Sequence, residues 1–363
     1  MRKIQRRLYA LALALVMAAS CTACGGGKTT AETSSSDVSA DEFEGVEWTM
    51  AHTRTEDSRA ALAAVAFAEA VEEKTDGKIK ITVYGNSSLG DYSTVQERVS
   101  LGDVTMQMAD YSPDVDSSLA LIGIPYIIST WEEFDEYYHL GEEGAMMAEF
   151  AQERFALQNI TVLGCYPQYF GSICSAVPIE NWEDPSAAKN LKCRVPTAVN
   201  FEKMAEVFGL QPVGMPASEA YTAMQTGIID SMLGGGTEYY WAQMKDVVNY
   251  ILPVNTHPVS YWMYINTDAF NAIPEEYQTL LYELADEYLY TPGLEAAKSE
   301  TTMYEEYFAA NGATVYEVTD EIQQAYADAY RENVWPLLAT EDNLGEAGLE
   351  IFHQFMDVYG ISY

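Results

Sequence analysis

The segment from Leu191 to Asp230 constrains the fold of this chain more than any other part of the sequence. A short strand-like run carries Arg194 and ends at Val195-Pro196, and a helical run follows it. A second strand-like run and a second helical run then lead to Gly227. Because strands that alternate with helices are typical of layered α/β proteins, this segment predicts helices that cover a mostly buried sheet.

The same alternation extends over most of the chain. A helix that Asp57 or Ser58 can cap is followed by an alternating strand at 79–83. Further helices are predicted at 92–101 and 131–155, strands at 104–108, 161–165 and 170–177, and an apolar extended run at 121–128. From Pro274 onward the pattern is strongly helical, and Pro292-Gly293 predicts a break or kink.

Arg194 also begins a long motif, R-V-P followed by P-x-x-x-P-x-S-E-x-Y-x-A-x-Q-T-G-x-x-D. This order resembles the signature segment of the solute-binding proteins of TRAP transporters, the DctP family. Other runs that are similar to this family lie at 67–81, 86–91, 124–126, 257–265 and 273–276. The resemblance covers roughly residues 48–340, which is nearly all of the chain after its N-terminal segment.

The resemblance implies an α/β, two-lobed, periplasmic-binding-protein-like fold with a ligand cleft between the lobes and a long C-terminal helix. We expect a lipoprotein signal peptide at 1–23 and a flexible tether at 24–45. Lobe I is expected to contain 46–166 plus roughly 255–295. Lobe II is expected to contain 167–254 plus roughly 296–363.

The N-terminal segment is typical of a secretory signal. Basic residues precede an apolar run from Leu8 to Ala19, which is shorter than the roughly 20 residues of a spanning helix. Cys24, before a run of glycines, is the predicted lipid-bearing residue, and Cys21 is the alternative. An ordinary cleaved signal that removes both cysteines is also open. A lipid on Cys24 would hold the protein on the outer face of the cell membrane, or in the periplasm, by a tether with a reach of roughly 25 Å.

The charge of the chain excludes several partners. Without residues 1–23, 15 Lys and Arg face 55 Asp and Glu, a net charge of −40. This charge repels nucleic acid and anionic lipid headgroups, so contact with a membrane is expected only through the lipid anchor. An anionic ligand would then need a local positive site. Cys165, Cys174 and Cys193 show no metal-binding spacing and are expected to be buried, although one disulfide among them stays open.

No catalytic motif is present in the sequence. His52, His139, His257 and His353 do not occur in H-E-x-x-H or beside cysteines at metal-ligand spacing. Neither the G-x-S-x-G nucleophile elbow nor the G-x-x-x-x-G-K-[ST] phosphate loop occurs. We therefore expect no enzyme activity, no cofactor and no metal.

The resemblance assigns roles to individual residues. It implies that the guanidinium of Arg194 grips the carboxylate of an organic acid, with a planar fork that forms two parallel hydrogen bonds. On position alone, Arg194 could instead pair with a surface carboxylate. Asp110 matches a position where an acid faces polar parts of the ligand. Phe170 and Gly234 stand where many members carry an arginine and an asparagine that contact the same carboxylate. Gly234 could also serve only as a turn.

Aromatic residues concentrate where the resemblance places the ligand. The set is Tyr111, Tyr166, Tyr169, Phe170, Tyr239, Tyr240 and Trp241. Rings offer apolar contact and stacking, so a ligand with an aromatic or partly apolar body is expected, with part of the set in the core instead. Thr53 and Asp91 are candidates from loops that border the cleft. Arg54 could replace the missing positive charge, whereas Arg59 is expected on the outer face of its helix.

We interpret the chain as an extracytoplasmic receptor that captures an organic acid by cleft closure. Delivery to the membrane subunits of a TRAP permease follows from the resemblance. Two alternatives stay open at this point: a receptor that feeds a sensor kinase, and a surface hydrolase, which the absent motifs disfavour.

Overall fold

The structure is a computed structural model that describes residues 39–40 and 42–362. The predicted signal peptide, with Cys21 and Cys24, lies outside the described residues, as does most of the predicted tether. Phe43, at the end of that tether, packs edge-on against Tyr277 with ring centroids 5.9 Å apart. The folded body therefore begins before residue 46. Within the described range, no helix combines the length and the apolar character that a membrane crossing requires.

Two separate sheets form the centre of the molecule, as the α/β prediction requires. The first has the strand order β2-β1-β3-β10-β4, with β10 antiparallel to both its neighbours and the other pairs parallel. Its strands are β1 (Val46–His52), β2 (Ile79–Tyr84), β3 (Met106–Ala109), β4 (Ile160–Phe170) and β10 (Pro258–Asn266). The second sheet has the order β11-β9-β5-β8-β6-β7. Its strands are β5 (Ser172–Ser175), β6 (Lys192–Val195), β7 (Gln211–Gly214), β8 (Ser231–Gly235), β9 (Tyr250–Leu252) and β11 (Thr314–Val315).

Helices cover the sheets and fill the C-terminal third. They are α1 (Arg59–Lys74), α2 (Tyr92–Leu101), α3 (Trp131–Tyr138), α4 (Met146–Ala156), α5 (Val199–Val207), α6 (Ala217–Gln225), α7 (Thr237–Tyr239), α8 (Thr267–Asn271), α9 (Glu275–Ala285), α10 (Thr291–Lys298), α11 (Glu300–Met303), α12 (Asp320–Asn333), α13 (Trp335–Leu338) and α14 (Glu341–Tyr359). Short 3₁₀ helices lie at Ser117–Gly123 and Ala309–Asn311, and π-helical turns at Tyr240–Met244, Asp286–Tyr290 and Tyr304–Phe308.

Several sequence predictions are confirmed at the level of single elements. Ser58 caps α1, where its side chain accepts a hydrogen bond from the Ala61 amide at 3.2 Å. The segment from Leu191 to Asp230 forms β6, α5, β7 and α6 in that order. The break predicted at Pro292-Gly293 is wrong, because the chain stays helical through these residues in α10; the irregularity is a π-helical turn at Asp286–Tyr290, just before Pro292.

Two predicted elements differ from the structure. The single helix predicted at 131–155 is two helices, because the connection contains Gly141 and Gly144 with φ of +96° and +102°. α3 ends at the extended residue His139, and the left-handed glycines then reorient the chain before α4. The run predicted as extended at 121–128 begins inside the 3₁₀ helix Ser117–Gly123.

The chain crosses between the sheets at two adjacent places. β4 ends in the first sheet at Phe170, and β5 begins in the second at Ser172. The return connection runs from β9 to β10 and pairs with Gly171: the Gly171 amide donates to His257 O and the Thr256 amide to Gly171 O, both at 2.9 Å. A Cβ on Gly171 would approach His257 Cε1 to 2.4 Å, so glycine allows the two crossings to touch. We call these two hydrogen-bonded connections the paired crossing.

The C-terminal helices return to the first half of the chain. Arg331 donates to Tyr126 O at 2.8 Å, and the Trp335 indole donates to Pro125 O at 3.0 Å. Gly345, inside α14 with φ of +57°, lies against Ser118. The predicted lobe limits stay a proposal, and these contacts favour placing the end of the chain beside lobe I.

Cys165, Cys174 and Cys193 are buried free thiols. Burial raises the pKa of each thiol, to about 12 for Cys193. The expectation that they act as small buried side chains is confirmed, and the disulfide that the sequence left open is not formed.

Candidate ligand-binding site

Arg194 is a buried cation with free hydrogen-bonding capacity. It lies on β6, which pairs in parallel with β7 and β8, and its side chain is only 5% exposed. Its Nε donates to Met215 O at 2.9 Å. Within the described part of the chain, its two Nη groups have no hydrogen-bond acceptor, and no carboxylate lies within 4.0 Å. Burial lowers the pKa of this guanidinium. The planar end of the fork is therefore available to a ligand.

Arg54 provides a second cation, from the side of the first sheet. Its Nη2 donates to Gln168 Oε1 at 3.0 Å, and its guanidinium lies 5.1 Å from the centroid of the Tyr261 ring. Burial alone would lower the pKa of Arg54, but Tyr261, Tyr169 and Asp110 together raise it. Among the described residues, no carboxylate approaches Arg54 within 4.0 Å. The prediction that Arg54 could supply positive charge near the cleft is consistent with this position.

Asp110 follows β3 directly and faces the same cluster. Burial raises the pKa of its carboxyl to about 6, and the nearby Arg54 partly offsets that rise. Burial raises the pKa of the Tyr261 hydroxyl, and the neighbouring Thr53 acts in the opposite direction. Thr53, Arg54, Asp110, Tyr169 and Tyr261 are thus brought together at the ends of β1, β3, β4 and β10.

Tyr239 connects the two arginines. Burial raises the pKa of its hydroxyl, and both Arg194 and Arg54 act to lower it. Tyr239 therefore lies within electrostatic range of both guanidinium groups, although these belong to different sheets. The Tyr239 hydroxyl donates to Ala217 O at 3.2 Å, which fixes the ring. Arg194 and Arg54 therefore both act on Tyr239, from different sheets.

A cavity of about 610 Å³ opens next to this region. Asp110 and Tyr111 line one side, and Phe201 and His257 line another. Gly234, with φ of +98°, packs against this wall, because a Cβ there would lie 3.5 Å from Pro196 and 3.7 Å from Phe201, and Ala198 in the turn after Arg194 lines the cavity. The turn that follows Arg194 thus forms part of the cavity wall.

Other predicted residues lie elsewhere. Phe170 is 1% exposed and packs against Trp131 with ring centroids 4.5 Å apart, so its ring lies in the core. Asp91 is exposed and caps α2, accepting from the Thr94 amide at 2.9 Å. That hydrogen bond lowers the pKa of Asp91. Direct ligand contact by Phe170 or Asp91 stays a prediction that these positions do not favour.

Arg59, expected on the outer face of its helix, instead pairs with Glu238 at 3.3 Å. The partner is in α7, so this ion pair joins the helix layer of the first sheet to the second sheet. Trp241 lies near this pair, in a separate groove of about 490 Å³. Tyr240 is fully buried and donates to Ser172 O at 2.7 Å. Of the predicted aromatic set, Tyr111 lines the cavity.

Several residues that line the cavity were not predicted from the sequence. His257 lines it, and burial lowers the pKa of its imidazole to about 4, so it is neutral at neutral pH. Phe201 packs edge-on against His257, 5.1 Å between centroids. Leu337 and Leu344, far along the chain, line another wall. The position of Phe201, just after the Arg194 motif, was an available signal, whereas nothing local marks the two leucines.

Replacing Asp110 by asparagine is expected to alter the dependence of stability on pH. The folded-state pKa, about 6, lies above the ordinary value of 3.8, so ionisation of Asp110 opposes folding. The stability that the protonated Asp110 carboxyl gives the folded state is fully present below the ordinary pKa of 3.8 and is lost as the pH rises through about 6. Between pH 4 and pH 7.5, the free energy of unfolding of wild type should therefore fall by about 2 kcal/mol relative to that of Asp110→Asn. Urea unfolding of both proteins at each pH measures this difference.

The matched control is Asp114→Asn, which removes an exposed carboxylate from the same loop. It should show little of this pH-dependent change. A difference between Asp110→Asn and wild type that is constant across the pH range would contradict the assignment of a buried, raised-pKa carboxyl.

The fold defines the class of protein as that of the two-lobed solute-binding proteins. The sequence profile of bacterial extracellular solute-binding protein family 7, DctP, matches residues 50–339. The chain therefore belongs to this family, the solute-binding proteins of TRAP transporters, whose members are extracytoplasmic substrate-binding receptors.

Individual relatives agree with this assignment. The C4-dicarboxylate-binding periplasmic protein DctP of Rhodobacter capsulatus is 25% identical over 308 residues, 84% of each chain. Solute-binding protein RD1_1052 of Roseobacter denitrificans is 26% identical over 78% of this chain and 90% of its own. Its crystal structure, with bound L-galactonate, has a TM-score of 0.66 at 22% identity and covers 85% of this chain and 98% of its own. An open, ligand-free TRAP solute-binding protein of Rhodobacter sphaeroides has a TM-score of 0.72 at 20% identity, covering 86% and 99%.

Proposed function

We propose that this protein captures an organic acid between its two lobes and delivers it to the membrane subunits of a TRAP permease. The observation that carries the proposal is Arg194: a 5% exposed guanidinium whose Nη groups have no acceptor among the described residues. A carboxylate fits such a fork with two parallel, charge-assisted hydrogen bonds.

The overall charge of the chain strengthens this reasoning. With 55 acidic side chains against 19 basic ones, carboxylate partners for a cation are abundant. Arg59, Arg154 and Arg331 each have an acidic partner within 4.0 Å. Among the residues described, Arg98 also has no acidic partner, and its Nη1 donates to Leu89 O at 2.8 Å. Arg194 and Arg54 have none either. Keeping these two cations unpaired beside a cavity is costly, and a bound anion would supply the missing partner.

The two-sided arrangement also supports a closure mechanism. Arg194 lies on the second sheet, whereas Arg54 and Asp110 lie at the end of the first sheet. A ligand that contacts both groups binds the closed form better than the open form, and so shifts the population toward closure. The paired crossing at Gly171 is where such a motion would be concentrated.

The relatives support an acid as the ligand, since one is named for C4-dicarboxylates and another is bound to L-galactonate. This chain places Tyr111, Phe201 and aliphatic side chains around its cavity. We therefore assign it an acid with an aromatic or partly apolar body. Its role is that of a receptor and not of an enzyme.

The proposal places the protein outside the cytoplasm, held by a lipid on Cys24 with Cys21 as the alternative. Cys24→Ala is expected to move most of the protein from the membrane fraction to the soluble fraction, because the lipid is the proposed attachment. Cell fractionation measures this directly. Cys21→Ala is the matched control and should leave the protein membrane-bound; the reverse result would assign the lipid to Cys21.

Thermal unfolding in the presence of a panel of organic acids tests the ligand class. A ligand at 100 times its dissociation constant adds about 2.7 kcal/mol to the stability of the native state. For a chain of this size that corresponds to an increase in Tm of a few degrees. At least one acid should produce it, and uncharged amides of the same acids should not. If no carboxylate raises the Tm, or the amides act equally, the proposed function is wrong.

A further inference from the structure

One wall of the cavity is built by a segment that extends beyond the end of the family match. The match ends at residue 339, yet Asn343 and Leu344 line the cavity together with Leu337 and Leu338. This segment, residues 337–344, is called the C-terminal wall below. It joins α13 to the start of α14, and so brings the end of the chain to the site.

The C-terminal wall is held in place by several independent contacts. Thr340 caps α14, with its Oγ1 3.3 Å from the Asn343 amide, and Asn343 Nδ2 donates to Leu337 O at 3.3 Å. On one side, the Trp335 indole donates to Pro125 O at 3.0 Å. On the other, Gly345 fits against Ser118, which a Cβ would approach to 2.3 Å. The wall is therefore a fixed surface and not a loose tail.

Most side chains that the C-terminal wall contributes to the cavity are apolar. The lining includes Leu337, Leu338 and Leu344 together with Ala120, Ile122 and Ile124. Leu337 is 53% exposed, so its side chain is accessible to a ligand in the cavity. Polar groups lie at Asn343 in the wall and at Asp110, Asn200 and His257 elsewhere in the lining. The cavity thus combines a mainly apolar C-terminal wall with a few polar groups.

The Tyr111 side chain also lines the cavity and packs against its apolar lining. Its hydroxyl is so close to Gly123 that a Cβ there would be 2.1 Å from it. The 3₁₀ helix that carries Ile122 and Gly123 is therefore in contact with this aromatic side chain. Arg194 itself does not line the cavity, but Ala198, Val199, Asn200 and Phe201 follow it in the chain and do. A ligand held at Arg194 that extends past Phe201 would enter the cavity.

We propose that the C-terminal wall is a specificity-determining surface that binds the apolar body of a monocarboxylic acid whose carboxylate is held at Arg194. This inference rests on the proposed function and narrows it to acids with one charged end and one apolar end. Compact dicarboxylates and sugar acids leave the apolar wall uncovered or place hydroxyl groups against it, so they are disfavoured.

The test is a titration series with the full-length protein and straight-chain acids. Isothermal titration calorimetry would compare butanoate, hexanoate, succinate and galactonate. Each buried methylene contributes about 0.8 kcal/mol, so hexanoate should bind about tenfold more tightly than butanoate. It should also bind more tightly than succinate or galactonate. Leu337→Ser should reduce the affinity for hexanoate about fivefold and leave butanoate nearly unchanged.

The matched control is Leu101→Ser, the same substitution at a leucine that is 78% exposed on α2 and does not line the cavity. It should leave the whole series unchanged. Tighter binding of succinate or galactonate than of hexanoate, or no effect of Leu337→Ser, would overturn the inference while leaving the proposed function intact. Arg194→Ala separates the two: if it leaves hexanoate binding unchanged, the proposed function itself fails, and this inference with it.

Discussion

Replacing Arg194 by alanine is expected to weaken binding of the acid by about 100-fold or more, close to 3 kcal/mol. The substitution removes both Nη donors of the free fork and the positive charge that offsets the acidic chain. Charge-assisted, bidentate hydrogen bonds are strong because the site is largely shielded from water, and Arg194 is only 5% exposed. Isothermal titration calorimetry with the acid that raises the Tm most would measure the loss.

The unliganded variant provides a second readout. Because Arg194 is a buried cation without a carboxylate partner among the described residues, its removal should leave the unliganded protein as stable as wild type, or more stable. A residue kept for structure would behave in the opposite way. Arg98→Ala is the matched control, since Arg98 also donates to a backbone carbonyl, that of Leu89 at 2.8 Å, but does not line the cavity. Unchanged affinity in Arg194→Ala, or an equal loss in Arg98→Ala, would refute the assigned role.

Glu300→Ala is expected to lower the free energy of unfolding by about 3 kcal/mol. The Glu300 carboxylate is 8% exposed and joins three segments next to the crossing between the two sheets. It accepts from the Phe170 amide at 3.4 Å, from the Thr237 amide at 3.3 Å and from the Tyr304 hydroxyl at 3.3 Å. The Thr237 hydroxyl also donates to it. Alanine would leave these buried donors without an acceptor.

Urea unfolding at neutral pH would measure this effect. Glu305→Ala is the matched control, because Glu305 is exposed one turn further along and its loss should change stability by less than about 0.5 kcal/mol. Glu300→Gln keeps the shape and one carbonyl oxygen, so an intermediate loss is expected. Equal stability of the Glu300 and Glu305 variants would show that the hydrogen bonds at the crossing contribute little.

The parts of the fold that the sequence predicted are those with a strong local signal. The segment 191–230 was predicted correctly because its strands are short apolar runs and its helices end at glycines, Gly209 and Gly227, with φ of +67° and +75°. The single helix predicted at 131–155 was wrong because its helical composition continues through Gly141 and Gly144. Composition alone did not show that these glycines adopt left-handed backbone.

For the site, the positions of the motifs in the sequence pointed to Arg194, Asp110 and Tyr111. These residues lie at or next to the ends of β6 and β3, near the cavity. Phe170 shows the limit of this reasoning, since an apolar ring fits a pocket and a core equally well on sequence, and packing against Trp131 placed it in the core. The C-terminal wall could not be predicted. It depends on the contact between residues 335–345 and residues 118–125, which has no local signal in either segment.

The most direct test of the central claim is a crystal structure of the protein with the acid that raises its Tm most. We expect the carboxylate to accept two hydrogen bonds from Nη1 and Nη2 of Arg194, with the rest of the acid in the cavity between Phe201 and Tyr111. An acid bound away from Arg194, or an Arg194 paired with a carboxylate of the protein in the closed form, would contradict the account.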